Sequence, residues 1–215
     1  YYPQKDSFQN IPGLEGKNIN SIFKDSRDRI WVGAQSGVFV LSASEQQLTE
    51  ISSIPGGKEE RISYVNFITE DRHHNIWIGT QWNGLFLIKN NDIYWYTATD
   101  GLTDNTVNAL LEGENNKLWI TTNKGIAELY YSEKPGGSPS VEMKAFSPHH
   151  GLQGLQFYPR SALKRKSGDL LFGGINGYNQ FNPAQITEDE FFPPVILTQF
   201  RLKYKKTTPL SENSP

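Results

Sequence analysis

The sequence has no cysteine. Disulfides, thiolate catalysis and cysteine-based metal sites are excluded together. The compartment stays open, because a cysteine-free chain is equally stable in oxidising and reducing surroundings. An excess of one charge is also missing. Twenty-one Lys and Arg face 23 Asp and Glu, for a net charge of −2, and no basic stripe marks a nucleic-acid surface. The short cluster Lys164-Arg165-Lys166, beside Ser167-Gly168, reads as a solvated hairpin tip. No apolar run approaches the ~20 residues that span a bilayer. No Met-initiated signal peptide opens the chain; it begins at Tyr1-Tyr2-Pro3 and reads as an excised segment. Enzyme motifs are absent too. There is no Gly-x-Ser-x-Gly elbow and no glycine-rich phosphate loop. His73–His74 and His149–His150 are adjacent pairs, whereas zinc motifs use wider spacings and strand neighbours point to opposite faces. They read as a turn tip and a surface linker. No catalytic residue, metal or cofactor is expected.

What the sequence does have is a repeat. Ile30-Trp31-Val32-Gly33-Ala34 returns as Ile76-Trp77-Ile78-Gly79-Thr80 and as Leu118-Trp119-Ile120-Thr121-Thr122. A worn fourth copy is Leu170-Leu171-Phe172-Gly173-Gly174. The tryptophans are 46 and 42 residues apart, and Leu171 follows Trp119 by 52. Four-stranded propeller blades have about this period. Other positions keep step. Asp25 and Asp71 precede their tryptophans by six residues; Asn20, Asn66 and Asn108 precede theirs by eleven. Gly37, Gly84, Gly125 and Gly177 follow each pentad by three or four.

Each unit divides into four short strands separated by turns. The first gives Ile19–Lys24, Ile30–Ala34, Val38–Leu41 and Leu48–Ile51. The second gives Val65–Thr69, Ile76–Thr80, Leu85–Ile88 and Ile93–Thr97. The third gives Val107–Leu111, Leu118–Thr122, Ile126–Tyr130 and Val141–Phe146, with a longer Pro- and Gly-rich connection from Ser132 to Ser140. No segment carries a capped 3.6-residue period. A sandwich needs no fixed sequence period, whereas radially packed sheets bury their faces only against their neighbours. Trp31, Trp77 and Trp119 are therefore read as inter-blade packing residues. Gly33 and Gly79 are read as allowing close backbone approach in the same layer.

The expected fold is all-β: a partial β-propeller of about four four-stranded blades, the C-terminal part of a larger, seven-bladed ring. The blades are assigned to residues 18–60, 61–102, 103–155 and 156–190, with 1–17 ending a preceding blade. Residues 191–215 are assigned to the start of another module.

The segment from Asp71 to Thr80, followed by Asn83-Gly84-Leu85, resembles the two-component regulator propeller repeat. The linker from Asp100 to Val107 resembles that family's join between blades, and Gly13-Leu14 and Gly151-Leu152 are further copies. The tail from Phe191 to Phe200 resembles the opening of the immunoglobulin-like module that follows such propellers. The third copy departs from the pattern at Gly113 and Thr121, and the fourth lacks the tryptophan. The resemblance implies a periplasmic sensor segment of a Bacteroidetes-type hybrid histidine kinase, anchored in the inner membrane by parts outside this chain. It also implies a ligand of oligosaccharide type and a role in transcriptional control. No kinase residues are present in this segment.

Ligands of propellers sit on the rim formed by the turns between second and third strands. Gln81, Trp82 and Asn83 stand there, as do Asn123, Lys124 and Asn176. Trp82 lies outside the packing repeat. A flat indole beside amides suits a sugar ring; alternatively, it folds onto its own blade. Arg160 holds the place of Asn20, Asn66 and Asn108, where a guanidinium could pair with an acidic sugar. The asparagines themselves are read as caps or bridges of inner-strand backbone. Two rival readings stand beside the sensor: a protein-interaction scaffold using an aromatic outer face, and a carbohydrate-active propeller enzyme. The enzyme needs two convergent carboxylates, and Asp100, Asp104 and Glu60 form no paired pattern. Four blades leave two sheet faces uncovered, an association hazard. The isolated chain is accordingly expected to self-associate, a homodimer being the simplest form. Sedimentation velocity should show species heavier than one chain, and a stable monomer would contradict this.

Overall fold

A computed structural model describes residues 10–42, 48–51, 62–132, 139–186, 200–202 and 205–207. The chain forms two compact units, Tyr1–Gln185 and Ile186–Pro215. The first holds four antiparallel sheets, each a meander in chain order. β1 (Ile19–Lys24), β2 (Ile30–Ala34), β3 (Val38–Leu41) and β4 (Leu48–Ile51) make the first. β5 (Val65–Glu70), β6 (Ile76–Thr80), β7 (Leu85–Lys89) and β8 (Asp92–Tyr96) make the second. β9 (Val107–Glu112), β10 (Lys117–Thr122), β11 (Gly125–Ser132) and β12 (Ser140–Phe146) make the third. The fourth has β13 (Phe157–Lys164), β14 (Leu170–Gly174) and β15 (Gly177–Phe181), three strands among the described residues. The strands read from the hydrophobic pattern fall within one or two residues of these. Most of the 132–140 connection and of the 191–215 tail lies outside the described residues. In the second unit, β16 (Phe200–Leu202) pairs with β17 (Lys205–Thr207).

Successive sheets bury their faces against each other. Trp31 packs with Val65, Ile68 and Ile78 of the second sheet. Trp77 packs with Val107, Leu110 and Ile120 of the third. Trp119 packs with Phe157, Leu170 and Phe172 of the fourth. All three indoles are buried, and each fills the same wedge between its own blade and the next. Truncating such a ring to alanine costs about 3–5 kcal/mol.

The indole is held by the turn that precedes it. Asp71 accepts the backbone N–H groups of His73 (2.9 Å) and Asn75 (3.0 Å), the Asn75 amide (2.9 Å) and Trp77 Nε1 (2.8 Å). Asp25 does the same for Arg27, Arg29 and Trp31. The carboxylate thus closes the β-turn and orients the ring at once. In the third blade Gly113 replaces the aspartate, and the buried Trp119 Nε1 has no hydrogen-bond partner among the described residues. A Cβ at Gly113 would sit 3.0 Å from that nitrogen, so the indole has moved over the backbone. Phe146 and Phe181 pack around it, with ring centroids at 5.4 and 4.7 Å.

A second exchange explains the departure at Thr121. A Cβ on Gly79 would overlap the Phe67 ring of the paired strand. In the third blade Ala109 stands opposite Thr121. The small residue has moved from one strand to its partner, which conserves volume in the layer. At Gly33 the vacant space is filled from the next blade, by Val65. The turn glycines Gly84 and Gly125 have φ of 77° and 109°, and a side chain on either would overlap a carbonyl of the outer strand.

Glutamates at the ends of inner strands add a polar latch between blades. Glu70 accepts Ser26 N (2.8 Å) and Ser26 Oγ (2.7 Å) of the first blade. Glu112 accepts the Arg72 N–H (3.2 Å) and pairs with its guanidinium. The two terminal faces are left exposed among the described residues. Tyr178, at the place of the buried Val38, Leu85 and Ile126, is 64% exposed. Ile22, at the place of the buried Ile68 and Leu110, is 71% exposed.

Phenylalanine at position 77 and at position 119 removes the same ring bulk, but only Trp77→Phe strips a donor from a buried carboxylate. Trp77→Phe should lower the unfolding free energy by about 2 kcal/mol more than Trp119→Phe, since a bond to a charged acceptor is worth about 1.5–3 kcal/mol. Urea denaturation of the two variants checks this; equal losses would refute it.

Candidate functional site

The rim opposite the aspartate turns carries the candidate site. Two features of the chain build it: the β2–β3 type turns of each blade, and an irregularity near the start of each inner strand. The register slips between Ile19 and Ser21, and between Val65 and Phe67. A bulge lets one residue leave the ladder and aim its side chain elsewhere. Asn66 uses this freedom to donate Nδ2 to the Val107 carbonyl of the next inner strand, at 2.9 Å. Asn108 donates to the Phe157 carbonyl at 2.8 Å and to Asn123 Oδ1 at 3.0 Å. These two asparagines bridge neighbouring blades. Asn20, half-buried, gives its backbone carbonyl to Arg160 Nη1 from the fourth blade.

In the fourth blade the slip is wider. Phe157 pairs with Gly174 and Ala162 with Phe172, leaving Tyr158, Pro159 and Arg160 where Asn66 stands alone. Arg160 has φ of 60°. Its guanidinium is therefore engaged with protein backbone.

The other candidates divide into two groups. Gln81 and Asn123 share a cleft of about 270 Å³ with Asn66, Asn108 and Gln156. Phe157, Tyr158, Pro159 and Ile175 line it as well. The remaining candidates lie outside this cleft's lining. Trp82 is 55% exposed and packs its ring on Tyr64, with centroids 4.3 Å apart and planes at 57°. Asn83 shapes the turn: its N–H binds Thr80 Oγ1 at 2.9 Å and its carbonyl accepts Trp95 Nε1 at 2.5 Å. Trp95 itself stacks on Phe86. Lys124 pairs with Asp104 at 3.1 Å. Asn176 is tied to Gln153 by two hydrogen bonds. Tyr64, Gln156, Tyr158 and Pro159 belong to the rim and were missed by residue spacing. The longer offset before Leu171 was the signal available for the last two.

A larger cleft, about 460 Å³, lies at the other end of the blades, between Arg27–Arg29 and His73–Asn75. Its polar groups are largely engaged. Arg29 binds Asp25, His73 binds Asn116, and His74 meets Ser26 and Glu70.

Repeated antiparallel meanders packed face to face, with their first strands adjacent, define a β-propeller. The model of the two-component regulator propeller family matches residues 13–36 and 101–124. Over 202 residues the chain is 29% identical to histidine kinase P4 of Formosa agariphila, covering 91% of this chain and 14% of that protein. The extracellular domain of a putative hybrid two component system from B. thetaiotaomicron superposes with a TM-score of 0.63 at 21% identity. That likeness covers 81% of this chain and 25% of the other. A catalytically inactive virginiamycin B lyase from Staphylococcus aureus gives a TM-score of 0.55 at 14% identity, over 82% of this chain and 59% of the lyase. The last two likenesses establish the fold. An extracellular domain of a putative two component system and a lyase share it, so the fold alone does not choose a chemistry.

Asp104 anchors the inter-blade join beside the rim. Burial disfavours its charged form, but the Thr106 N–H at 2.9 Å, the Lys124 ammonium and the Thr106 hydroxyl outweigh burial and hold its carboxyl below the ordinary range. The folded value is lower than the unfolded one. Its contribution is thus complete above about pH 4 and is lost as pH falls through the depressed folded value. Asp104→Asn should flatten the loss of thermal stability below about pH 4, as measured by melting temperature against pH. An unchanged acid limb would refute the linkage.

Proposed function

We propose that this chain is part of the extracytoplasmic sensor of a two-component histidine kinase, and that it contributes binding and not catalysis. The observation carrying the reading is the match to histidine kinase P4 along 91% of the chain, supported by the match of two segments to the two-component regulator propeller model. In this reading the complete protein has further blades, seven in all, that cover the faces of Ile22 and Tyr178. It is anchored in the inner membrane, faces the periplasm and carries a kinase beyond the following immunoglobulin-like module. When isolated, the chain uses the same uncovered faces to pair with a second copy.

The ligand is of carbohydrate type and is read on the rim. Trp82 offers more than half of its surface there, and Tyr64 buttresses the indole from below. An aromatic ring held this way loses little rotamer freedom on stacking against a sugar. Binding would bias the complete sensor between two arrangements only if the ligand prefers one of them. Trp82→Ala should weaken oligosaccharide binding about tenfold, equivalent to about 1.4 kcal/mol, by titration calorimetry. Unchanged affinity would remove Trp82 from the site. The signalling half of the reading is tested by whether oligosaccharide changes autophosphorylation of the complete protein in membranes.

A further inference from the structure

We infer that the amide-lined cleft beside the inner strands is a binding site selective for an uncharged, hydroxyl-rich ring; the inference rests on the sensor reading and assigns its ligand a place and a charge. The cleft contains five side-chain amides, and they differ in what they are doing. Asn66, Asn108 and Asn123 are joined to backbone or to one another. The side chains of Gln81 and Gln156 make no hydrogen bond among the described residues, although both border the cavity. Each brings two donors and an acceptor, the complement of a vicinal diol. The fixed asparagines and the bulged inner strands hold the floor rigid, so the two glutamines are presented from a pre-formed surface.

The rest of the lining is largely apolar. Tyr158 and Ile175 are exposed, 56% and 50%, and Pro159 lies next to Tyr158. A sugar ring has apolar C–H faces and a polar rim, and a cleft lined by both apolar groups and amides matches both. Its volume, about 270 Å³, suits one or two rings and not a long chain. Gln81 is also the residue before Trp82, so the cleft and the exposed indole are neighbours along the chain.

Charge decides the selectivity. Among the described residues no acidic or basic side chain lines the cleft. Of the rim cations, Arg160 is bound to the Asn20 carbonyl and Lys124 to Asp104. A uronate or sulfate entering the cleft would lose water without gaining a counter-charge, a cost that amides do not repay. The reading of Arg160 as a receptor for acidic sugars is replaced by one in which the arginine is a structural tie and the ligand is neutral.

The test titrates the 215-residue chain with neutral gluco-, manno- and xylo-oligosaccharides, and separately with oligogalacturonate and heparin fragments. At least one neutral series should bind, and the acidic probes should not. The double variant Gln81→Ala, Gln156→Ala should bind about tenfold or more weakly, consistent with loss of two hydrogen bonds. Its melting temperature should be unchanged, because both side chains are exposed. If the double variant alters melting, Gln156→Ala alone is read in its place. Neutral binding that survives the glutamine changes but falls with Trp82→Ala would overturn the cleft and leave the sensor reading standing. Binding of the acidic probes alone would overturn the charge selectivity. Binding of no probe would overturn the site, and the autophosphorylation assay then decides the sensor reading separately.

Discussion

A buried indole, tied by its N–H to a turn carboxylate, joins each blade to the next. Each sheet is too thin to bury both faces itself, so its stability is contributed largely by its neighbours. Asp71 and Asp25 make the junction specific, since one carboxylate both closes the hairpin and sets the ring's orientation. The third blade shows what happens when the carboxylate is missing. Its indole keeps the wedge filled and gives up the bond, leaving Trp119 Nε1 buried without a partner among the described residues. Packing is therefore the part of the junction the fold retains in every tryptophan-bearing blade, and the hydrogen bond is the part it can lose.

The same economy governs the inner layer. Phe67 opposite Gly79 and Ala109 opposite Thr121 are two solutions to one volume. Such exchanges keep the blades equivalent in shape while their sequences drift apart. The bulged asparagines do a different job. They satisfy carbonyls of the neighbouring inner strand that a packed β-ladder leaves over, and so they rigidify the floor from which the rim loops project.

A rigid floor with variable loops is the arrangement in which a shared fold serves unrelated ends. An extracellular domain of a putative two component system and a lyase share this architecture, so its chemistry must be read from the rim of each chain. In this chain the rim offers amides, an aromatic pair and an apolar wall, while the described ionisable groups beside it, Lys124, Asp104 and Arg160, are used in holding the structure together.

Much of the fold was legible in the chain. The recurrence of Trp31, Trp77 and Trp119, with Asp25 and Asp71 six residues before, reported a repeated local interaction. Any contact made within one hairpin leaves a fixed spacing in sequence. The strand limits followed for the same reason. The site was only partly legible. Gln81, Trp82 and Asn123 could be placed on the rim because they occupy a repeated turn. That Gln81 and Asn123 share a cleft with Gln156, while Trp82 leans on Tyr64, depends on how inner strands from different blades approach, and no spacing records that. Arg160 is the clearest case. Counting back from Leu171 made it an equivalent of Asn66, yet two extra residues, Tyr158 and Pro159, carry the bulge outward and send its guanidinium to Asn20, 140 residues away. Local periodicity set the blades; only their packing decided which rim groups remained unpaired and available to a ligand.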